Sequence, residues 1–240
     1  MNILHIGKFY PPYHGGMETY LRDLAEAQVK QGHQVAVLVH NHHWYGIKSN
    51  TVTEQPMPGL TLIRQACLGP VLFTPLMLGL NRQVKRLIRQ QSVDVIHLHV
   101  PNPGLFMLLI NRSAKKVPWV LRWHSDMVTE RASRWLRFIY GCMKPFETAL
   151  LKNSRKILIS TPEYIKKSHR LQQFRPHVMV VPLGLTTQHI LLPKPLTLNN
   201  KHMQILTLGR LSFYKNHSMF IHAMHQLPDM HLLLPVGGDL

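Results

Sequence analysis

Three groups of residues in this 240-residue chain have the types and spacing to do chemistry. Gly15 and Gly16 stand side by side in front of an amphipathic run that starts at Met17, with Glu18 just inside it. A Gly-Gly step lets backbone N–H groups approach a ligand closely, and a helix N-terminus favours an anion. The pair reads either as a phosphate or carboxylate site or as a plain turn that needs positive φ, and the sequence leaves both open. His97 and His99 are two apart at the end of an apolar run and share a face there. His124-Ser125-Asp126 holds the residue types of a hydrolase triad. Neighbours on an extended segment point to opposite faces, so these three cannot relay a proton among themselves. His97 with His99, and His40 with His42 and His43, also have spacing that could serve a metal. No carboxylate or cysteine accompanies either group at ligand spacing, so polar loop histidines are the better reading and no metal site is assigned.

The elements that must position these residues alternate. Asn2 to Gly7 reads as a short apolar strand. Met17, Tyr20, Leu21, Leu24, Ala25 and Gln28 then follow helical spacing, Gly32 closes that helix, and Gln34 to His40 is a second strand. His40 to Pro58 reads as a polar loop, Leu60 to Arg64 as a strand, and Leu72 to Gln90 as a helix with Arg82, Lys85, Arg86 and Arg89 outside. Strands are expected at Val93 to Leu98, Val117 to Trp123, Lys156 to Ser160 and Val178 to Val181, the last followed by Pro182-Leu183-Gly184. Helices are expected at Pro103 to Ala114, at Ala132 to Lys152 with a kink at Pro145, and from Thr161-Pro162 onward. This order argues for an α/β fold: a Rossmann-like parallel sheet with helices on both faces. Ligands of such sheets sit beyond the carboxyl ends of the strands, so Gly15, Gly16, His97, His99, His124 and Gly184 should meet on one rim. A dinucleotide is not the expected ligand, because no G-x-G-x-x-G follows the first strand.

Residues 186–202 have linker composition, with Pro193, Pro195 and paired asparagines. Beyond them come a strand (Met203 to Leu208), a helix (Asn216 to Gln226) and a strand (His231 to Leu234), the first βαβ unit of a second Rossmann-like domain. The expected organisation is therefore residues 1–185, a linker at 186–202, and an incomplete domain start at 203–240, too small to offset its own ordering entropy.

The formal charge of +17, from 28 Lys and Arg against 11 Asp and Glu, implies an acidic partner. Nucleic acid ranks below an anionic membrane surface or phosphorylated substrates, since zinc-finger, basic-zipper and RNP-like patterns are all missing. Two distant cysteines fit a reducing compartment, and the start lacks a basic segment ahead of an apolar run, so the chain reads as cytoplasmic. The uncharged run between Arg64 and Arg82 is broken by Gly69, Pro70, Pro75 and Gly79 and reads as buried or interfacial rather than membrane-spanning. Arg131 to Arg170 carries ten Lys or Arg interleaved with Trp135, Phe138 and Tyr140. It reads either as a core helix with a solvated basic face or as a helix lying on anionic lipid.

Seven blocks, in order, carry a resemblance. They are His14-Gly15-Gly16-Met17-Glu18; Gly32-His33-Gln34-Val35; Asp94-Val95-Ile96-His97-Leu98-His99; Trp123-His124-Ser125-Asp126; Ser160-Thr161-Pro162-Glu163-Tyr164; Val181-Pro182-Leu183-Gly184; and Gly209-Arg210-Leu211-Ser212-Phe213-Tyr214-Lys215. Together they resemble the GT-B glycosyltransferases of the family-4 type, in particular bacterial sugar transferases of cell-surface polysaccharide assembly. The resemblance implies two Rossmann-like domains, the first binding mainly the acceptor and the second a nucleotide diphosphate sugar. It implies that His124 meets the donor sugar near the reacting carbon and that Gly15 and Gly16 bring backbone amides to the donor phosphates or the acceptor. Arg210 and Lys215 would clamp the diphosphate, and Glu18, His97, His99, Ser125, Asp126 and Gly184 would line the acceptor and sugar rim. The implied reaction is hexose transfer to a lipid-linked or saccharide acceptor with retention, needing neither a protein nucleophile nor a metal or other cofactor.

The chain departs from the family at Leu185-Thr186, where a hydrophobic residue and Asp are usual, and at Asn216, where Gly is usual. The family's Glu-x7-Glu donor signature would fall beyond residue 240. The sequence alone therefore leads to the expectation that this chain transfers no sugar unaided. The alternative is a truncated non-catalytic remnant, or an acceptor-binding subunit with a separate chain supplying the donor half.

Overall fold

A strand covered on both faces carries apolar residues at almost every position, and the chain opens on one, β1 (Asn2–Ile6). The computed structural model describes residues 1–13, 15–43, 46–47, 50–71, 74–126, 133–184, 203–207, 215–227 and 230–233. α1 (Gly16–Lys30) follows, and Gly32, at φ +86°, ends it in a conformation that side chains resist. Next come β2 (Gln34–His40), the short pair β3 (His42–His43) and β4 (Gly46–Ile47), and the hairpin β5 (Val52–Met57) with β6 (Leu60–Gln65). A second hairpin, β7 (Cys67–Val71) and β8 (Thr74–Met77), leads into α2 (Leu80–Gln91) and β9 (Val95–Val100). A 3-10 segment, Pro103–Ile110, precedes β10 (Trp119–Trp123), α3 (Arg134–Asn153) and β11 (Ser154–Ile159). α4 (Pro162–Lys167), α5 (His169–Gln172) and β12 (Val178–Val180) complete this part.

The chain divides into two units, Met1–Leu185 and Thr186–Leu240. In the first, eight strands form one sheet in the order β12-β11-β10-β9-β1-β2-β6-β5. Every neighbouring pair is parallel except β5 with β6, so β5 is an antiparallel edge. The described part of the second unit holds β13 (Met203–Leu206) paired in parallel with β14 (Met230–Leu233), and α6 (His217–His225). Met219 and Ile221 of α6 are exposed.

Period-two alternation sends each strand's residues to opposite faces. Leu4 and Ile6, Ile96 and Leu98, Trp119 and Leu121, and Ile157 and Ile159 join one core with Leu80, Val84 and Leu87 of α2, Leu105 and Leu108, and Leu150 and Leu151 of α3. Ile3, Val35, Val37, Val39, Leu60 and Leu62 face the other way and meet Leu21 and Ala25 of α1.

The structure corrects several local expectations. The segment expected as one helix from Leu72 is a hairpin followed by a helix that starts only at Leu80, because Gly69, Pro70 and Pro75 disfavour helix and Gly79 turns in at φ +73°. The loop expected from His40 to Pro58 contains β5, whose polar alternation suits an exposed edge. Pro103–Ile110 is 3-10 rather than α: Asn102 Oδ1 accepts from Gly104 N at one end, and Asn111 Oδ1 accepts from the N–H groups of Ser113 and Ala114 beyond the other. The helix opening at Pro162 breaks at Ser168 into α4 and α5.

Trp119 is fully enclosed and donates its indole N–H to Ala114 O at 2.8 Å. Trp119→Ala is expected to lower unfolding free energy by about 3–5 kcal/mol, read as a fall in the urea midpoint. A midpoint within error of the wild type would show that β10 is not central to the core.

Candidate functional site

The face of the sheet under α1 is not uniformly apolar. Along β1, β9 and β10 the positions that alternation directs toward α1 include His5, His97, His99 and Arg122, all buried, and His124 continues the same side just past β10. Register puts them shoulder to shoulder: His5 pairs with His97, His97 with Val120, and His99 with Arg122. The backbone N–H of His124 extends this ladder by donating to Val100 O at 3.0 Å. After β1 the chain builds outward through β2 and β6, then returns to the other side of β1 with β9 and β10. The polar seam therefore straddles the point where strand order reverses, the place where α/β sheets open a crevice.

α1 covers the seam with two residues eight apart, Tyr20 and Gln28, which lie on one helical stripe. Gln28 Oε1 lies 2.6 Å from His5 Nε2, His5 Nδ1 lies 3.1 Å from His99 Nε2, and His99 Nδ1 lies 3.2 Å from His124 Nε2. Tyr20 meets the His124 ring edge-on at 5.3 Å between centroids, and the Arg122 guanidinium sits over the Tyr20 ring at 5.1 Å. Arg122 donates to Val181 O at 2.7 Å and to Ser160 Oγ at 3.2 Å, which ties the segment leading to Gly184 to β10. His97 stacks on His99 at 4.6 Å, and among the described residues its buried Nε2 has no hydrogen-bond partner.

Burial dominates the protonation of this group. Desolvation lowers the His5 pKa to about 4, against the opposing effect of its hydrogen bond to Gln28. His97 and His99 are lowered well below the usual histidine value by desolvation and by the neighbouring histidines. Burial, then the Arg122 charge, lowers His124 to about 4. All four rings are neutral at pH 7.

The loop between β1 and α1 is pinned from several sides. His40 donates to Lys8 O at 2.6 Å, Arg64 donates to Pro11 O at 2.6 Å, and Asn102 donates to Gly7 O at 3.1 Å. Gly15 adopts φ 175°, an extended backbone open to any residue, so the reading of the glycine pair as a positive-φ turn does not hold. A Cβ on Gly15 would instead collide with the carboxylate of Glu18, which is buried against it in the first turn. That carboxylate supplies a negative charge at the helix N-terminus from within the chain. A Cβ on Gly16 would meet only open space.

The residues singled out from the sequence fall into distinct places. His124 is half-buried at the carboxyl end of β10, beside the helix that Gly16 begins. His97 and His99 share a face as expected, but they are strand residues buried beneath the rim, not polar loop residues. His40 is likewise buried. Ser125, Asp126 and Gly184 are exposed. Asp126 Oδ1 accepts from Trp123 Nε1 at 3.1 Å and its N–H donates to Tyr164 Oη at 2.6 Å, so its bonds run away from His124. Lys215 lies in the second unit, exposed, just before α6. Arg210 lies outside the described residues.

Sequence reasoning missed His5, Tyr20, Gln28 and Arg122 as site residues. The available signal was a polar residue inside an otherwise apolar strand, in Asn2-Ile-Leu-His-Ile6 and Trp119-Val-Leu-Arg-Trp123. As possible metal ligands, His5, His97 and His99 present nitrogens within 4.8 Å of one another. Both nitrogens of His5 and both of His99 are already hydrogen-bonded, and the Arg122 cation acts on the group, so the arrangement favours hydrogen bonding over a cation.

The model of the family described as "Glycosyl transferase 4-like domain" matches residues 15–184. The chain is 23% identical over 236 residues to O-antigen chain mannosyltransferase C of Escherichia coli, covering 98% of this chain and 57% of that protein. It is 27% identical over 255 residues to the D-rhamnosyltransferase WbpZ of Pseudomonas aeruginosa, covering 100% and 60%. The chain thus spans about three fifths of the length of these curated relatives. Among solved structures it is similar to sucrose-phosphate synthase from Thermosynechococcus elongatus (TM-score 0.71, 18% identity, 99% of this chain and 63% of that one). It is also similar to Anabaena HepE in complex with UDP-glucose (TM-score 0.64, 14% identity, 98% and 60%). At these identities the likeness is one of fold, the GT-B architecture.

A histidine whose folded pKa is depressed takes up its proton more readily in the unfolded chain, so its contribution to stability is complete above about pH 6.5 and lost as pH falls toward 4. For His5 alone the loss is about 3 kcal/mol. Urea midpoints measured from pH 7.5 to 4.5 should fall through this window, and a flat profile would contradict the buried neutral cluster.

Proposed function

Since the chain belongs to the glycosyl transferase 4-like family, we propose that it is a glycosyltransferase moving a hexose from a nucleotide diphosphate sugar to a lipid-linked or saccharide acceptor in surface polysaccharide synthesis. The observation that carries this reading is His124: it stands at the carboxyl end of β10, at the strand-order reversal, with Nε2 held by His99 and one flank covered by Tyr20. Among the described residues nothing hydrogen-bonds its remaining nitrogen, Nδ1, which this reading gives to a ligand. The relatives' names, a mannosyltransferase and a rhamnosyltransferase, and the UDP-glucose bound by HepE support the substrate class.

In this proposal His124 meets the donor sugar, the Gly16 amide serves an anionic or hydroxyl group at the α1 terminus, and exposed Ser125 and Gly184 line the rim. Glu18, His97 and His99 act from beneath it, and Asp126 shapes the segment that follows His124. Arg210 and Lys215 clamp the diphosphate, where cations stabilise charge developing on a leaving phosphate without a metal. Retention is supported by the surroundings of His124: among the described residues its ring contacts are histidine and tyrosine, and the nearby Asp126 is bonded elsewhere.

No helix among the described residues is long and apolar enough to cross a membrane. Trp135 and Phe138 of α3 are 69% and 62% exposed and stack at 5.9 Å, flanked by exposed Arg134 and Arg137. The first half of α3 is therefore not a core helix, which favours its lying on anionic lipid at the cytoplasmic face of the cell membrane.

Transfer of labelled hexose from GDP- and UDP-sugars to a lipid-linked saccharide, by the chain alone and with a separate donor-binding half added, tests the reaction. His124→Ala is expected to cut kcat by about two to three orders of magnitude, and unchanged transfer would remove His124 from the site. Saccharide binding that depends on His124 without any turnover would instead favour an acceptor-binding half served by a separate donor chain. Co-sedimentation with phosphatidylserine vesicles should weaken as salt rises and in the Trp135→Ala, Phe138→Ala double variant. Equal binding to neutral vesicles would rule the membrane reading out.

A further inference from the structure

Gln28, His5, His99 and His124 form a single file of hydrogen bonds, at 2.6, 3.1 and 3.2 Å, from the body of α1 to the rim. A neutral imidazole has one N–H and one bare nitrogen. Fixing the direction of any one bond in such a file therefore fixes all the others. Gln28 turns its oxygen, an acceptor, toward His5. His5 then donates through Nε2 and accepts at Nδ1, His99 donates through Nε2 and accepts at Nδ1, and His124 donates through Nε2.

We propose that Gln28, His5 and His99 are positioning residues that set the tautomer of His124, holding its proton on Nε2 so that Nδ1 faces the ligand as a bare acceptor. A sugar hydroxyl is a donor suited to that nitrogen. The inference rests on the reading of His124 as the residue that meets the sugar, and it adds how a glutamine at the far end of the file dictates what His124 offers.

Two features keep the file in one state. The rings are interleaved with His97, which stacks on His99 at 4.6 Å and tilts against His5 at 4.9 Å, so none can swing away without breaking ring contacts. Desolvation keeps the rings neutral: a second proton on His5 would set an N–H against the N–H of His99, and burial holds that protonation down to about pH 4. Among the described residues the groups facing the file are His97, Tyr20 and Arg122, and Arg122 is the charged one among them.

Gln28 is half-buried on the surface of α1, so it can be changed without opening the core. Histidine side-chain nitrogens of the 15N-labelled 240-residue chain, assigned with single His→Gln variants, report the tautomer directly. The wild type should show His124 protonated at Nε2 and bare at Nδ1. Gln28→Glu offers only acceptors and should preserve that pattern, whereas Gln28→Met offers none and should give His124 comparable populations of both tautomers. A wild-type His124 protonated at Nδ1, or one indifferent to Gln28→Met, would overturn the proposal. So would added zinc that stoichiometrically shifts the His5 and His99 nitrogens to metal-bound values, since the file and a metal compete for the same atoms. The measurement needs no substrate. A wrong tautomer therefore defeats this inference alone, while a correct tautomer with transfer indifferent to His124 defeats the assignment of His124 to the sugar.

Discussion

Buried polar groups must find hydrogen-bond partners, and leaving one unmet costs about 1–3 kcal/mol. In this protein that constraint weighs most on the seam where His5, His97, His99 and Arg122 lie under α1, and among the described residues it is met there for all but His97 Nε2 and Arg122 Nε. The helix cannot dock by apolar contact alone. Its Leu21 and Ala25 satisfy the apolar half of the face, and its Gln28 and Tyr20 must land on the polar half. The observed placement of the helix meets both conditions. That placement also sets where Gly16 begins α1 and how Tyr20 borders His124, so the site geometry follows from how the seam is satisfied.

The seam's location follows from topology. β1 lies between strands built in two directions, and the crevice this opens lies beyond its carboxyl end and that of β9. A polar row elsewhere on the sheet would be only a cost. Here it runs from the middle of β1 across β9 to the end of β10, and each hydrogen bond in it brings the buried interior nearer to the rim. Arg122 completes the row by binding Val181 O, which holds the segment before Gly184 against the same edge.

The alternating elements of the first unit were legible because apolar periodicity changes from two to three or four at each boundary. That His124 lies just past the carboxyl end of a strand, close to the start of α1, was legible from the alternation of strands and helices. Misreadings fell where signals competed. Between Cys67 and Met77 an apolar run that could serve helix or strand was settled by Pro70 and Pro75, and at Pro103–Ile110 by asparagine caps. The histidines were misjudged because alternation alone does not say which face is covered. His97 and His99 look like an exposed pair until β1 and α1 are placed over them. Their partner His5 is ninety-two and ninety-four positions away, and no short motif joins them. A stricter reading would have asked why strands rich in Ile, Leu and Val, and so buried on both faces, carry a histidine and an arginine.

The electrostatics of the rim also bear on what His124 can do. A general base works best with a pKa near the operating pH. Burial and the Arg122 charge pull His124 down to about 4, and Arg122 would oppose any imidazolium formed there. His124 is thus poorly suited to take a proton outright and well suited to accept a hydrogen bond that keeps the proton on the ligand. Such a residue suits the role proposed for His124, orienting a sugar rather than activating a nucleophile, in the proposed transfer where the protein supplies no nucleophile and cations stabilise the departing diphosphate. The same desolvation that disqualifies His124 as a base keeps the histidines behind it neutral, and a file of neutral rings can hold a single proton order.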